Sequence, residues 1–158
     1  MNAIWIPVDA YNDLLEEARN AYPLETGGVL AGYVAENGEF VIQYVVGPGP
    51  SAVHKRERFE PDHDWHCSKL DEIFEKSSKR SAYLGDWHTH PDGAPSMSGL
   101  DRRTLRSIAR HPETALARPV MMIGAGKENA WTWKAHQYIG YRLRCLLSNY
   151  AALNVRVF

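Results

Sequence analysis

The chain has 158 residues, of which 44% are hydrophobic and 23% are charged, and its formal net charge is −1 at pH 7. This length and composition predict one soluble domain over 1–158, with enough residues to bury a core. The near-zero charge argues against bulk nucleic-acid binding, and the longest apolar runs are far too short to cross a bilayer.

The N-terminus shows no secretory signal, because it lacks a basic stretch followed by an apolar one. Only Cys67 and Cys145 are present, so a disulfide scaffold is not expected and the cytoplasm is the predicted compartment. The charge is unevenly placed. Residues 1–50 contain seven carboxylates and one arginine, whereas the rest contains 17 basic and 12 acidic residues. One acidic and one basic face are therefore expected.

The hydrophobic periodicity predicts a series of strands and helices along the chain. In chain order these are strand 4–8, a helix capped by Asp9 and running to about Asn20, strands 27–35 and 39–46, strand 53–59, a helix capped by Asp62 and running to about Lys79, strand 81–88, helix 100–110, and strands 119–125 and 129–137. Asn37-Gly38 is the strongest hairpin signal. Residues 141–147 suit either a strand or a helix. The pattern indicates an α/β domain with a mixed sheet and helices packed against it.

Two histidines at the end of strand 81–88 are the centre of a candidate metal site. His88 and His90 are two residues apart, so both imidazoles lie on one side of an extended chain. Turn-forming residues at 92–96 allow Asp101 to return to the same point. Two neutral imidazoles and one carboxylate form a three-ligand zinc set with an open fourth position, which is typical of catalytic zinc sites.

Each of these residues also has a simpler interpretation. The two histidines alone fit a solvated strand face, and Ser98 with Asp101 fits a capping box at the start of helix 100–110. The capping and metal interpretations are compatible, because Ser98 can cap the helix while Asp101, in its first turn, faces the metal. The complete combination favours the metal site.

A hydrolytic zinc site also needs a general base that is not itself a ligand. Glu25 is the candidate, because it precedes a strand whose Gly27 and Gly28 allow a backbone or a substrate to approach closely. Its alternative is an ordinary surface glutamate in a loop.

Together, Glu25, His88-Thr-His90-Pro and Ser98-x-x-Asp101 resemble the motif of the JAMM (MPN+/JAB1) zinc metallopeptidases, and the resemblance spans roughly residues 4–133. The segments Glu-Thr-Gly-Gly-Val-Leu and Gly-Asp-Trp-His-Thr-His-Pro are similar to those of small bacterial stand-alone members. These accompany ubiquitin-transfer-like enzymes in CBASS-type antiphage operons that signal through cyclic oligonucleotides. The resemblance implies an α/β fold, a single MPN/JAMM-type domain with a mixed β-sheet flanked by helices, cytidine-deaminase-like.

Position by position, the resemblance implies that His88, His90 and Asp101 bind Zn²⁺ with water as the fourth ligand. It implies that Glu25 takes a proton from that water and passes it to the leaving amine, and that Ser98 donates a hydrogen bond to the tetrahedral oxyanion. The expected reaction is cleavage of a peptide or isopeptide bond after the C-terminal tail of a ubiquitin-like protein or its conjugate. An operon-encoded nucleotidyltransferase is the candidate conjugated partner; no nucleic acid or membrane is expected as a partner.

Three other functions stay open. A related peptidase would mature a sulfur-carrier-like protein by clipping residues after its C-terminal glycines. A catalytically silent MPN scaffold is less favoured, since it would be expected to lack ligands that are intact here. A nucleic-acid-binding module predicts steeply salt-dependent DNA binding. Its basic residues would be Arg102, Arg103, Arg106 and Arg110.

A few other residues near these motifs have open interpretations. Asp86 has the strand parity of His88 and His90, so it either orients a ligand imidazole or is a solvated aspartate. Trp87 has the opposite parity and is expected in the core. A second metal site is a further hypothesis, based on His63, His66 and Cys67, although Cys67 lies off the helical face that the two histidines share.

Overall fold

The computed structural model of the protein describes residues 2–140 and 149–158. Its elements are β1 (Ala3–Ile6), α1 (Val8–Ala21), β2 (Gly27–Val34), β3 (Phe40–Val46), β4 (Val53–Lys55), β5 (Arg58–Glu60), α2 (His63–Lys76), β6 (Ala82–Pro91), α3 (Gly99–Arg110), β7 (Val120–Lys127), β8 (Ala130–Tyr138) and β9 (Tyr150–Val157). Residues 141–147, predicted as either strand or helix, lie outside the described residues. None of the described helices is long and apolar enough to cross a membrane.

Seven strands form a closed barrel in the order β1-β3-β2-β6-β7-β8-β9. Strand β1 closes the ring, because it pairs in parallel with both β3 and β9. Strands β6 and β7 are also parallel, and the other neighbours are antiparallel. The predicted mixed sheet with packed helices is therefore confirmed. Closure of the ring was not predicted, and the expected likeness to cytidine deaminases stays a prediction.

Two apolar clusters hold helices α1 and α3 against the strands. In the larger cluster, Leu14 and Ala18 of α1 are buried together with side chains of the barrel strands, Phe40 among them. In the second, Leu105 of α3 is buried with Ile123 of β7 and three further apolar side chains. Because α3 is held against β7 in this way, its N-terminal turn lies beside the end of β6, which is the neighbour of β7.

Two details of the N-terminal half differ from the sequence expectation. The N-cap of α1 is Pro7, and Asp9 lies in the first turn of the helix instead, where a carboxylate is favourable to the helix dipole. The region 53–59 is not one strand but the antiparallel hairpin β4–β5, a separate two-stranded sheet. The charged residues Arg56 and Glu57 form its turn, which periodicity alone does not separate from a strand.

Helix α2 begins as predicted and ends earlier. The side chain of Asp62 accepts a hydrogen bond from the backbone N–H of Trp65 at 3.1 Å, which confirms the predicted cap. The helix ends at Lys76 because Ser78 and Lys79 adopt positive φ angles, a conformation incompatible with a right-handed helix. The apolar residues of α2 do not form a buried stripe, since Trp65 is 36% exposed and His66 is the one buried residue of the helix.

Candidate active site

Strand β6 presents the two histidines on one side, as their spacing predicts. Thr89 lies between them and is fully buried, and it fastens β6 to the start of β2. Its Oγ1 accepts a hydrogen bond from the N–H of Thr26 at 3.0 Å, and its own N–H donates to the Thr26 carbonyl at 2.9 Å. Strand β6 is therefore paired with β2 as far as His88 and with β7 along both histidines.

The donor atoms of three residues converge on one point. His88 Nε2 lies 3.0 Å from His90 Nε2 and 3.2 Å from Asp101 Oδ1. His90 Nε2 lies 3.5 Å from Asp101 Oδ2. Ligands arranged tetrahedrally around zinc at ordinary bond lengths are about 3.3 Å apart, so this donor set fits one zinc-sized cation. Within residues 2–140 and 149–158, no other group of three His, Cys, Asp or Glu side chains comes together in this way.

Asp101 reaches this point from the capping box of α3. The backbone N–H of Asp101 donates to Ser98 Oγ at 3.1 Å, and the N–H of Ser98 donates to Asp101 Oδ2 at 2.7 Å. The capping box that the sequence indicates is therefore present, and the same carboxylate faces both imidazoles. Ser98 is exposed, and its hydroxyl accepts in the capping bond, so that bond does not use the hydroxyl proton.

The imidazoles and the carboxylate shift one another's pKa values. Burial disfavours the charged form of Asp101, but hydrogen bonds and charge from His88 and His90 outweigh burial and hold the pKa of Asp101 below its ordinary range. The hydrogen bond to Asp101 in turn raises the pKa of His90, against desolvation.

A backbone carbonyl selects the form of His90 that binds metals. His90 Nδ1 lies 3.0 Å from the carbonyl oxygen of Ala94. A carbonyl oxygen only accepts, so Nδ1 carries the proton in the neutral ring, and the lone pair of Nε2 faces Asp101 and His88. This is the tautomer in which an imidazole ligates through Nε2.

Glu25 lies beside the donor group without belonging to it. Burial raises the pKa of Glu25, and the nearby His90 and His88 lower it. The hairpin β4–β5 holds the Glu25 backbone: its N–H donates to the Lys55 carbonyl at 2.8 Å, and its carbonyl lies 2.9 Å from His54 Nδ1. Glu25 is thus a half-buried carboxylate that lies near the two imidazoles and is not part of the donor group.

The second-metal hypothesis is wrong. His66 Nε2 lies 2.8 Å from the carbonyl oxygen of Gly47, so its ring is held by the backbone after β3. His63 Nε2 lies 3.6 Å from Cys67 Sγ on the exposed side of α2. The three side chains do not form a metal-binding group.

The two strand residues before His88 have structural partners. Asp86 accepts a hydrogen bond from the hydroxyl of Tyr83 at 2.8 Å, and burial raises its pKa. Its hydrogen-bond partner is thus a tyrosine rather than a ligand imidazole. Trp87 is 1% exposed and donates its indole N–H to the Val46 carbonyl at 3.0 Å, which confirms the predicted core position.

One contact across the site has no signal in the sequence. The hydroxyl of Tyr22 lies 3.0 Å from Asp92 Oδ1 and 3.1 Å from Oδ2. Tyr22 is three residues before Glu25, and Asp92 is two residues after His90, so the pair connects the Glu25 loop to the His90 loop. The two residues are 70 positions apart, and no local pattern predicts such a pairing.

Known proteins resemble this chain in sequence and in fold. Residues 7–136 match the family described as prokaryotic homologs of the JAB domain. The chain is 39% identical over 145 residues to the probable metalloprotease y4qB of Sinorhizobium fredii, which covers 89% of this chain and 85% of that protein. It is 31% identical over 110 residues to the CD-NTase/cGAS isopeptidase of Vibrio cholerae, covering 70% and 67% of the two chains. The solution structure of protein DSY2949 from Desulfitobacterium hafniense has the same fold, with a TM-score of 0.72, 17% identity, and coverage of 98% of this chain and 92% of that one.

Proposed function

The chain belongs to the family of prokaryotic homologues of the JAB domain and is a JAMM-type metallopeptidase, and from this premise we propose that it is a zinc-dependent isopeptidase. The proposed substrate bond follows the C-terminal tail of a ubiquitin-like protein, in a conjugate with a nucleotidyltransferase of antiphage signalling. Relatives named CD-NTase/cGAS isopeptidase support this substrate class. The observation that carries the proposal is the convergence of two imidazoles and one carboxylate beside a separate, half-buried glutamate.

The residues proposed to hold the zinc are His88, His90 and Asp101. Nitrogen and carboxylate donors suit Zn²⁺, and three protein ligands leave a position for chemistry. When bound, Zn²⁺ polarises a substrate carbonyl and lowers the pKa of a coordinated water. The capping box supports the carboxylate ligand, and the Ala94 carbonyl supports one imidazole, so the donors are arranged before the metal arrives.

Glu25 and Ser98 are proposed to move the proton and to stabilise the developing charge. A carboxylate whose pKa is raised by burial is a better proton acceptor than an exposed one. Glu25 is therefore assigned the transfer of a proton from water to the leaving amine. The Ser98 hydroxyl, exposed beside Asp101, is assigned a hydrogen bond to the oxyanion.

The position of the hairpin β4–β5 supports an extended substrate tail. The hairpin contacts the Glu25 backbone through Lys55 and His54. It forms a separate two-stranded sheet. The Glu25 backbone already contacts β4, so in the described part of the chain β5 has the unpaired edge. An extended tail can add to such an edge by backbone hydrogen bonds and present its carbonyl to the donor group.

The experiment compares two substrates under metal control. One is a ubiquitin-like protein linked through its tail to a nucleotidyltransferase, and the other is a sulfur-carrier protein with residues after its terminal glycines. Cleavage of the first should stop after chelation and return with one equivalent of zinc, and a Glu25→Gln variant should be inactive. Preferred cleavage of the second would assign the maturation reaction instead. Cleavage by the chelated protein would contradict the zinc mechanism, and a zinc-loaded protein that cleaves neither substrate would favour the silent scaffold.

A further inference from the structure

A histidine outside the donor group holds the loop between β6 and α3. His136, on strand β8, has its Nε2 atom 3.1 Å from the carbonyl oxygen of Pro95. The preceding carbonyl of the loop, that of Ala94, lies 3.0 Å from His90 Nδ1. Two imidazoles from two different strands therefore hold two consecutive carbonyl groups of one loop.

The ring of His136 lies on the face of the barrel that α3 covers. His136 and Tyr138 are two residues apart on β8, so their side chains share a face, and Tyr138 is buried in the apolar cluster that holds α3. Burial lowers the pKa of His136, and so do the charges of Arg102 and Lys134. The ring is therefore neutral at pH 7. Because a carbonyl oxygen only accepts, Nε2 carries the proton and donates to the Pro95 carbonyl.

Other contacts anchor the two ends of this loop. At its start, the N–H of Asp92 donates to the Gly126 carbonyl at 2.7 Å. Near its end, Met97 is 8% exposed and lies in the second apolar cluster, directly before the N-cap residue Ser98. The bond from His136 reaches the middle of the loop. Loss of that bond would therefore loosen the middle carbonyls and leave the cap of α3 in place.

We propose that His136 is a positioning residue for the candidate metal site, an inference that rests on the proposed zinc function. By holding Pro95, it keeps the Ala94 carbonyl against His90 Nδ1. That carbonyl selects the form of His90 whose Nε2 lone pair faces the other two donors. Loss of a direct partner of a ligating imidazole weakens metal binding about 10–100-fold. His136 acts one residue further along the loop, so an effect at the lower end of that range is expected.

The chain contains a matched histidine for comparison. His66 Nε2 lies 2.8 Å from the carbonyl oxygen of Gly47, which is the same kind of bond, and the ring is 5% exposed. Gly47 follows β3 and is not part of the loop beside His90. Removing the His66 bond should therefore lower stability, as loss of any buried hydrogen bond does, without altering the donor group.

The test uses three substitutions of His136 and one of His66. His136→Gln keeps the donor, because the amide nitrogen of Gln, like Nε2 of His, is three bonds from Cβ. His136→Asn carries the same amide one bond short of that reach, and His136→Leu has no donor. His66→Leu removes the matched bond. The zinc Kd is measured by competition with a chromophoric chelator, and the unfolding free energy of the zinc-free protein by urea.

His136→Leu and His136→Asn should each raise the zinc Kd about tenfold, and His136→Gln should raise it less than about threefold. His66→Leu should lower the unfolding free energy and change Kd less than about twofold. Where only one of the two donor-free variants folds, its Kd decides.

Three results would overturn the positioning role. The first is a zinc Kd of the donor-free variants that equals that of the wild type or that of His66→Leu. The second is a His136→Gln variant that loses as much affinity as His136→Leu, because the donor would then not matter. The third is failure of both donor-free variants to fold while His66→Leu folds, because His136 would then be a residue of the fold alone.

Failure of the proposed function gives a different result. A wild type whose zinc Kd depends on His136 but which cleaves no tail-linked reporter would contradict the isopeptidase and leave the positioning role in place. Cleavage with a zinc Kd that does not depend on His136 would overturn the positioning role alone. A wild type that binds no zinc would overturn both.

Discussion

Neutralising Asp101 and neutralising Glu25 should have different effects, although both carboxylates lie near His88 and His90. Asp101 touches both His88 and His90, whereas Glu25 is not part of the donor group. Asp101→Asn keeps an oxygen that accepts the Ser98 N–H, so the capping box survives while the anionic ligand is lost. Glu25→Gln keeps the shape of the side chain and loses the proton acceptor. We therefore expect Asp101→Asn to lose the metal and Glu25→Gln to keep it.

The expected magnitudes follow from these roles. Loss of a general base lowers kcat by about 10²–10⁴, so Glu25→Gln should be nearly inactive with one zinc per chain. Loss of a partner that only supports a ligand weakens metal binding about 10–100-fold, and loss of the ligand Asp101 should weaken it further. Because the cap is kept, the metal-free Asp101→Asn protein should not show the penalty of about 1 kcal/mol that loss of a helix cap brings.

The assay measures zinc per chain by mass spectrometry after dialysis against a buffered free-zinc series, with cleavage of a tail-linked reporter in parallel. Asp101→Asn at high zinc is the control that separates loss of affinity from loss of fold. Zinc loss in Glu25→Gln equal to that in Asp101→Asn would refute the division between base and ligand. Wild-type cleavage by Glu25→Gln would refute the assignment of the base.

Three further outcomes are expected. Ser98→Ala should lower kcat about 10²–10³-fold with little change in KM and should reduce the unfolding free energy by about 1 kcal/mol through loss of the cap, as measured by steady-state kinetics and urea unfolding. Gly28→Ala should lower stability by about 1–3 kcal/mol in thermal unfolding, because its new methyl group collides with a carbonyl oxygen of β3, whereas Gly47→Ala meets no atom and should be neutral. In metal-free protein, the pKa of Asp101 is lowered and that of His90 raised. Their stabilisation is therefore complete between about pH 4 and 6.5 and is lost as pH falls through the folded Asp101 pKa or rises through that of His90. Urea unfolding measured from below this window to above it should show a loss of unfolding free energy on each side, and an unchanged value above the window would contradict the His90 contribution.

Features that depend on neighbouring residues were predictable from the sequence. The Asp62 cap and the hairpin around Gly38, whose φ is +82°, are local choices of side chain and backbone conformation. The convergence of His88 and His90 follows from strand alternation, which also places Trp87 in the core. Each of these signals lies within a few residues of the feature that it predicts.

Features that depend on distant pairing were not predictable in this way. Closure of the barrel requires β1 to pair in parallel with β9 near the other end of the chain. The sequence of neither strand indicates which strand it pairs with. In α2, Trp65 is partly exposed and His66 bonds to the Gly47 carbonyl because of how the helix packs on the rest of the protein. Helical periodicity orders these side chains around the axis but does not show which side the barrel covers.

Asp101 and Glu25 differ in the same way, because one is placed by local sequence and the other by residues distant in the chain. Asp101 is placed by a capping box that its own sequence encodes, so a short motif is enough to predict its position beside the two imidazoles. Glu25 depends on a hairpin some 30 residues later in the chain, and its loop is joined to the His90 loop by Tyr22 and Asp92. These contacts hold the Glu25 loop beside the donor group. A transplanted motif without them would be expected to bind zinc and to cleave poorly, because catalysis depends on the distance between base and metal more than binding does.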